Sequence, residues 1–493
     1  MDYDAANPVV LFDVELDGEP RRAIAQAGKS GWIYILDRIT GKPLIGIEQR
    51  AVLQEPRQFT SATQPHPMGD AFLPQSPRVR NFDDGSGDLP MAFIAILRSI
   101  VSNGSLCVID ASGRSHIVGD GSAPAVTLRL TSRASNYSLA LNPALAIGEA
   151  YMDGRLVIEQ GSLYDFLDLL ARNFGPSGRN PWLVFLKWLR QGLKQSNPMG
   201  RARRNVAHHY DLSGELYDIF LDADRQYSCA YFKSPNDSLE TAQENKKQHI
   251  AAKLRLNRSG LKVLDIGSGW GGLSLYLAEA FGAEVTGVTL SREQHSFSLQ
   301  RAALSPASER VHFELRDYRE LEGRFDRIVS VGMFEHVGKK NYLEFFSRIR
   351  ELLSEDGVAL LHSIGYADSP GPINPFVRKY IFPGADLPSL SEVFAVVERT
   401  GLFVTDLEIL RLHYAETLRC WRERFMARSD EVKALYDERF LRMWEFHMVL
   451  SEIGFRRRTN MVFQMQLTRC IDALPITRDY MFDAERRAEM ANE

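Results

Sequence analysis

Between residues 262 and 364, short apolar runs recur along the chain, each followed by a stretch whose apolar positions fall three and four apart. "KVLDI" (262–266), "EVTGVTL" (284–290), "VHFELRD" (311–317), "FDRIVSVG" (325–332) and "GVALLHSI" (357–364) have the length and β-branched content of buried strands. Strands alternating with helices predict a mainly parallel sheet covered by helices on both faces, from about residue 206 onward. Upstream the texture differs. "MAFIAILRSIVSNGSLCVIDASGR", from Met91, reads as an amphipathic helix, then a strand and hairpin, and "SLYDFLDLLARN" is again helical. Residues 1–90 are broken by Gly, Pro and turn residues around pieces such as "GWIYILD" (31–37), and they close on the polar "NFDDGSGDLP" (81–90). The expected organisation is a fragment and linker (1–90), a small α+β domain (91–172), a basic amphipathic linker (173–205), an α/β domain (206–475) and a tail (476–493).

In an open α/β sheet, ligands gather beyond the carboxyl ends of the strands. Those ends carry Asp265, Thr289 with Ser291, Asp317, Glu335 and His362, a polar row from five strands. The first turn holds Gly267, Gly269 and Gly272, which satisfy the dinucleotide fingerprint G-x-G-x-x-G. A nicotinamide site also wants an acid ending the second strand, yet that strand ends Thr289-Leu290-Ser291, with no acid before Glu293. Asp265 precedes the glycines instead. Acid-x-Gly-x-Gly-x-Gly, with Gly267, Gly269 and Gly271, is the arrangement of S-adenosylmethionine (SAM) methyltransferases. Glycine lets backbone approach the ligand closely, and the acid can meet the methionyl ammonium.

Composition narrows the partners. Of 493 residues, 44% are hydrophobic and 25% charged, with net charge −4, which gives no global attraction to nucleic acid. Cys107, Cys229, Cys420 and Cys470 lie far apart, with neither metal-site nor disulfide spacing, so no metal is expected and a reducing cytosol fits. The chain lacks a signal-peptide pattern and any apolar run of transmembrane length. Work on lipid is therefore expected from the membrane surface.

Residues 91–475 resemble the cyclopropane-fatty-acyl-phospholipid synthase family, which includes the mycolic acid cyclopropane synthases. The carriers are "NVAHHYDLSGELYDIFLD" (205–222), "YSCAYF" (227–232), "VLDIGSGWGGL" (263–273), "VTLSREQ" (288–294), "SVGMFEHVGKKNY" (330–342), "LLHSIG" (360–365), "KYIFPGADLPS" (379–389) and "HYAETLRCW" (413–421). The resemblance implies a Rossmann-like SAM methyltransferase domain behind a smaller α+β domain. It also implies addition of a methylene carbon across a cis double bond of a phospholipid acyl chain, at the inner face of the cytoplasmic membrane. Tyr227, Ser228, His209 and Tyr210 match SAM-contacting positions, and Thr289, Leu290, Ser291, Gln294, Asp317 and Tyr318 complete the expected cofactor contacts.

An isolated alkene is a weak nucleophile, so the donor must be a strong electrophile such as the SAM sulfonium. The resulting carbocation closes to a ring only when a base removes a proton. The site must exclude water, tolerate a cation and hold that base. The resemblance implies a bound bicarbonate, held by Glu335, His362 and Tyr414 and by backbone near Cys229 and Ile364. Read without the family, Cys229 is a small buried thiol, His362 a core histidine and Tyr414 packing. Residues 379–389, with their Pro and Gly breaks, are expected to form a wall or lid of the acyl pocket, although an ordinary surface insertion would read the same way. "PWLVFLKWLRQGLKQSNPMGRARR" (181–204) mixes Trp182 and Trp188 with Arg201, Arg203 and Arg204, as interfacial helices do, although packing between domains uses the same mix. Methylation without ring closure and a non-catalytic lipid-binding role stay open. So does the oligomeric state, a homodimer included.

Residues 1–80 resemble a fragment of a quinoprotein dehydrogenase propeller, through "DYDAANPVVLFD" (2–13), "GKSGWIYILDRITGKPL" (28–44) and "PRQFTSATQPHPMGDAF" (56–72). One or two blades cannot close a propeller. No dehydrogenase activity is expected, and Met91 is a natural start for the synthase-like part.

Overall fold

The computed structural model describes residues 10–16, 19–27, 33–37, 40, 42–44, 47–51, 63–67, 91–132, 138–140, 142–173 and 214–492. The chain divides into two compact units, Met1–Asp88 and Leu89–Glu493. In the first, β1 (Val10–Leu16), β2 (Glu19–Ala27) and β3 (Ile33–Asp37) form an antiparallel meander, and β4 (Ile47–Ala51) pairs antiparallel with β5 (Thr63–Pro67).

The second unit begins with the helix Met91–Ile100. A four-stranded sheet follows, ordered β7-β6-β8-β9, built from β6 (Ser105–Ile109), β7 (Ser115–Gly119), β8 (Ala125–Leu130) and β9 (Leu156–Gln160). Alternate residues of β6 and β8 are buried, as period-2 patterning dictates for a sheet covered on one face. Phe93, Ile94 and Leu97 form the apolar stripe of the first helix, and Val101 just beyond it is buried with them. The core they share with the sheet also takes in Phe376 and, from the helix Glu438–Arg457, Phe446, Val449 and Ile453. Gly148 permits this closeness: a Cβ there would lie 2.4 Å from the Phe376 ring and 2.7 Å from that of Phe446. Tyr151 donates to Glu445 across the same junction at 2.6 Å.

The main sheet has seven strands in the order β12-β11-β10-β13-β14-β16-β15. β10 (Lys262–Ile266), β11 (Glu284–Thr289), β12 (Val311–Leu315), β13 (Phe325–Val331) and β14 (Leu353–Tyr366) are parallel; β15 (Phe403–Ile409) and β16 (Asn460–Thr468) complete it antiparallel. The five strands expected from sequence are present, but β14 starts earlier, at Leu353, and the two antiparallel strands escaped the pattern. β16 hides because Gln464 and Gln466 interrupt its apolar run while being buried themselves. β15 is an edge strand with only partial burial. Strand order reverses at β10, which opens the crevice expected at such a switch point.

Candidate active site

The three glycines after β10 all have positive φ, +83° at Gly267, +55° at Gly269 and +84° at Gly271, but their surroundings differ. A Cβ at Gly267 would lie 2.8 Å from Met333, and one at Gly271 2.8 Å from Phe313. At Gly269 it would meet nothing within 4 Å, so this residue alone of the three faces open space. The cavity beside it is lined by Asp265, Gly267, Gly269, Thr289, Leu290, Gln294, Asp317, Tyr318, Tyr227 and Ser228. Ten expected cofactor contacts thus converge. Ser291 caps the helix Arg292–Leu304 by accepting from the Gln294 amide, and Gly271 caps Gly272–Phe281 in the left-handed conformation. His209, Tyr210 and residues 174–205 of the basic linker lie outside the described residues.

Sequence reading missed Gln226, Trp270, Arg319, Met333 and His336, which line the same cavity. Two had a signal: Gln226 directly precedes the "YSCAYF" stretch, and His336 adjoins Glu335. The local turn sends His336 toward the cavity, where burial lowers its imidazole to about 4.

Asp265 is buried and accepts a hydrogen bond from Ser274 Oγ at 2.7 Å. Burial raises its carboxyl to about 6, against the opposing pull of Ser274 and the Lys246 charge. Asp317 is held differently, by a two-pronged ion pair with Arg319 at 2.9 and 2.6 Å. Thr289 Oγ1 donates to Gln294 Oε1 at 3.0 Å and so orients that amide at the cavity wall. Tyr227 stacks on Trp421, with centroids 5.2 Å apart, and gives the cavity a rigid aromatic side. A buried carboxyl, an open glycine crevice and amide and aromatic walls suit a nucleoside that carries an ammonium group.

Glu335, in the 3-10 turn Phe334–His336 after β13, is buried. Its Oε1 accepts from the Ile364 backbone N–H at 2.6 Å, while Oε2 is buried without a hydrogen-bond partner. Burial raises this carboxyl to about 7, with the Ile364 amide pulling the other way. The Ile364 N–H is therefore directed at Glu335. His362 pairs with Val331 in the β13–β14 register, and its Nδ1 lies 3.2 Å from Gln464 Nε2 on β16. Burial, then the Lys246 charge, lowers it to about 3, so the ring is neutral. Cys229, Ile364 and Tyr414 share one apolar cluster, with Tyr414 edge-on to Phe455 at 4.8 Å. Burial raises the Cys229 thiol far above its ordinary range, which opposes a thiolate nucleophile. Among the described residues no cluster has the make-up of a metal site.

The reversed strand order, the acid before the glycines and the open crevice at Gly269 define a SAM-dependent methyltransferase of Rossmann-like fold. The chain belongs to the mycolic acid cyclopropane synthetase family, whose profile matches residues 198–465. The cyclopropane-fatty-acyl-phospholipid synthase of Escherichia coli (strain K12) is 36% identical over 364 residues, 73% of this chain and 92% of that protein. Tuberculostearic acid methyltransferase UfaA1 of Mycobacterium tuberculosis is 35% identical over 399 residues, 76% and 90% of the two chains. Among solved structures, mycolic acid cyclopropane synthase CmaA1 complexed with SAH and CTAB superposes with TM-score 0.52 and 32% identity, covering 56% of this chain and 99% of that one. Residues 1–89 match a different profile, the glucose/ethanol/alcohol dehydrogenase beta-propeller domain.

Proposed function

We propose that this protein adds a methylene carbon to the cis double bond of unsaturated acyl chains in phospholipids and closes a cyclopropane ring. The observation that carries this reading is Glu335, a buried carboxyl with one oxygen on the Ile364 N–H and the other unpartnered. Ring closure demands a base in a place without water, and ordinary methylation of a heteroatom does not. Bound SAM supplies an electrophilic methyl group.

The protein's own residues do the rest. Asp265 offers its carboxylate to the ammonium of the cofactor, and Gly269 admits it to the crevice. Tyr227, backed by the buried Trp421 stacked on it, keeps water from the cavity wall. Glu335, raised to about 7, is available as an anion near neutral pH. A bicarbonate ion fits this donor set: its O–H would be donated to the orphaned Glu335 Oε2, and donors on His362 and Tyr414 would meet its remaining oxygens. That ion would supply the proton acceptor.

The 379–389 segment bears on the same place, since the Asp386 N–H donates to the Glu335 carbonyl at 2.9 Å. No helix among the described residues is long and apolar enough to cross a membrane. The proposal has the enzyme reach its lipid from the cytoplasmic face of the membrane, with the basic 173–205 linker assisting. A homodimer belongs to the proposal only as an arrangement to be measured.

The likeness to a tuberculostearic acid methyltransferase favours a second reading, methylation without ring closure. Incubation with SAM and vesicles of a monounsaturated phospholipid separates the two. Cyclopropanation gives a product heavier by one CH2 that lacks olefinic proton signals and shows upfield ring-methylene signals. A methyl-branched or still olefinic product would overturn the ring-closing reading.

A further inference from the structure

Lys246 is fully buried, on the helix Leu239–Lys253, and it lies outside the cofactor contacts described above. Its ammonium donates to Gln226 Oε1 at 2.6 Å and to Ser228 Oγ at 2.9 Å, two groups of the cavity wall. Gln243, three residues earlier on the same helix, donates through Nε2 to the carbonyls of Gln226 and Ser228 at 3.2 and 3.0 Å. The Gln226 amide is pinned at its other end, donating to Asp224 at 2.9 Å. One turn of helix thus grips both the backbone and the side chains of this wall segment.

Lysine has three donors and no acceptor. Ser228 Oγ must accept from it, so the serine proton has to point elsewhere. We propose that Lys246 is a positioning residue that makes Ser228 an obligate donor into the cavity, where its O–H meets the carboxylate at the amino-acid end of SAM. The two ends of the zwitterion then have separate partners, Asp265 for the ammonium and Ser228 for the carboxylate. This rests on reading the amino-acid end of the cofactor as lying beside Asp265.

Two ligands test it by calorimetry: S-adenosylhomocysteine, and methylthioadenosine, which keeps the nucleoside and thioether but has no amino-acid end. Lys246→Met should weaken S-adenosylhomocysteine on the order of tenfold or more, as loss of a charge-anchored hydrogen bond does, and leave methylthioadenosine within about twofold. Ser228→Ala, which spares the buried lysine, should show the same selectivity, and the double variant should be no worse than the poorer single one. Equal losses for both ligands would mean a purely structural lysine and would overturn the proposal, as would a Ser228→Ala protein with unchanged affinities. Asp265→Asn is the control for the orientation. If it weakens S-adenosylhomocysteine while neither Lys246→Met nor Ser228→Ala does so selectively, this inference falls and the cofactor reading stands. If selective losses appear at Lys246 and Ser228 but not at Asp265, the inference stands and the ammonium needs another partner.

Discussion

Asp265 and Glu335 are both buried carboxyls, but their surroundings assign them different work. Asp265 has one serine partner, faces the cavity and is raised to about 6. Ionised, it attracts an ammonium; protonated, it does not. SAM affinity should therefore be flat above about pH 6 and fall toward tenfold per pH unit well below it, the slope for one linked proton. Calorimetry across pH measures this, and Asp265→Asn should abolish the slope along with most of the affinity. Glu335 has one oxygen tied to Ile364 and the other unpartnered. Its anion becomes dominant only above about pH 7, so turnover should rise through that pH while SAM affinity stays level. Glu335→Gln should lower kcat by at least about a hundredfold, the lower range for a positioned acid–base group, and remove that limb of the profile. Turnover that falls as pH rises through 7 would contradict the anionic role.

At the scale of elements, the junction between the small sheet domain and the helix Glu438–Arg457 depends on one missing side chain. Gly148 lies in the helix Pro143–Met152, where alanine would ordinarily gain up to about 1 kcal/mol of helix propensity. Here a Cβ would intrude on the Phe376 and Phe446 rings, at 2.4 and 2.7 Å. Overpacking of a filled core costs about 1–3 kcal/mol, so it should win. Gly148→Ala is expected to lower the denaturation midpoint, whereas an unchanged or higher midpoint would show that the rings move aside cheaply. The same junction touches the 375–389 region, because Lys379 and Tyr380 both bond Glu149, at 2.6 and 2.8 Å. Activity measured on Gly148→Ala would report how far the 375–389 region depends on this packing.

For the whole molecule, Leu89–Glu493 is a compact unit containing both the small sheet and the methyltransferase sheet. A chain starting at Met91 should bind SAM and keep the melting temperature of the full chain within a few degrees; insolubility or a large fall would show that the first unit is needed. The sequence by itself determined the five parallel strands, the glycine turn with Asp265, and the ten residues that converge on the cavity. The strands and the glycine turn follow from local periodicity and from a motif whose parts are close in the chain, and Asp317 from its place at a strand end; Tyr227 and Ser228 are expected only through the family resemblance. Tertiary structure alone decided the rest. β16 pairs with β14 from about a hundred residues away, and its buried Gln464 and Gln466 read as surface residues until His362 and the Lys253 carbonyl are seen beside them. Likewise, adjacent side chains at Glu335 and His336 part company, one bonding the Ile364 backbone and the other lining the cavity. Lys246 looks like an ordinary charge on a polar helix, because burial is a property of what packs around a residue and not of the residue itself.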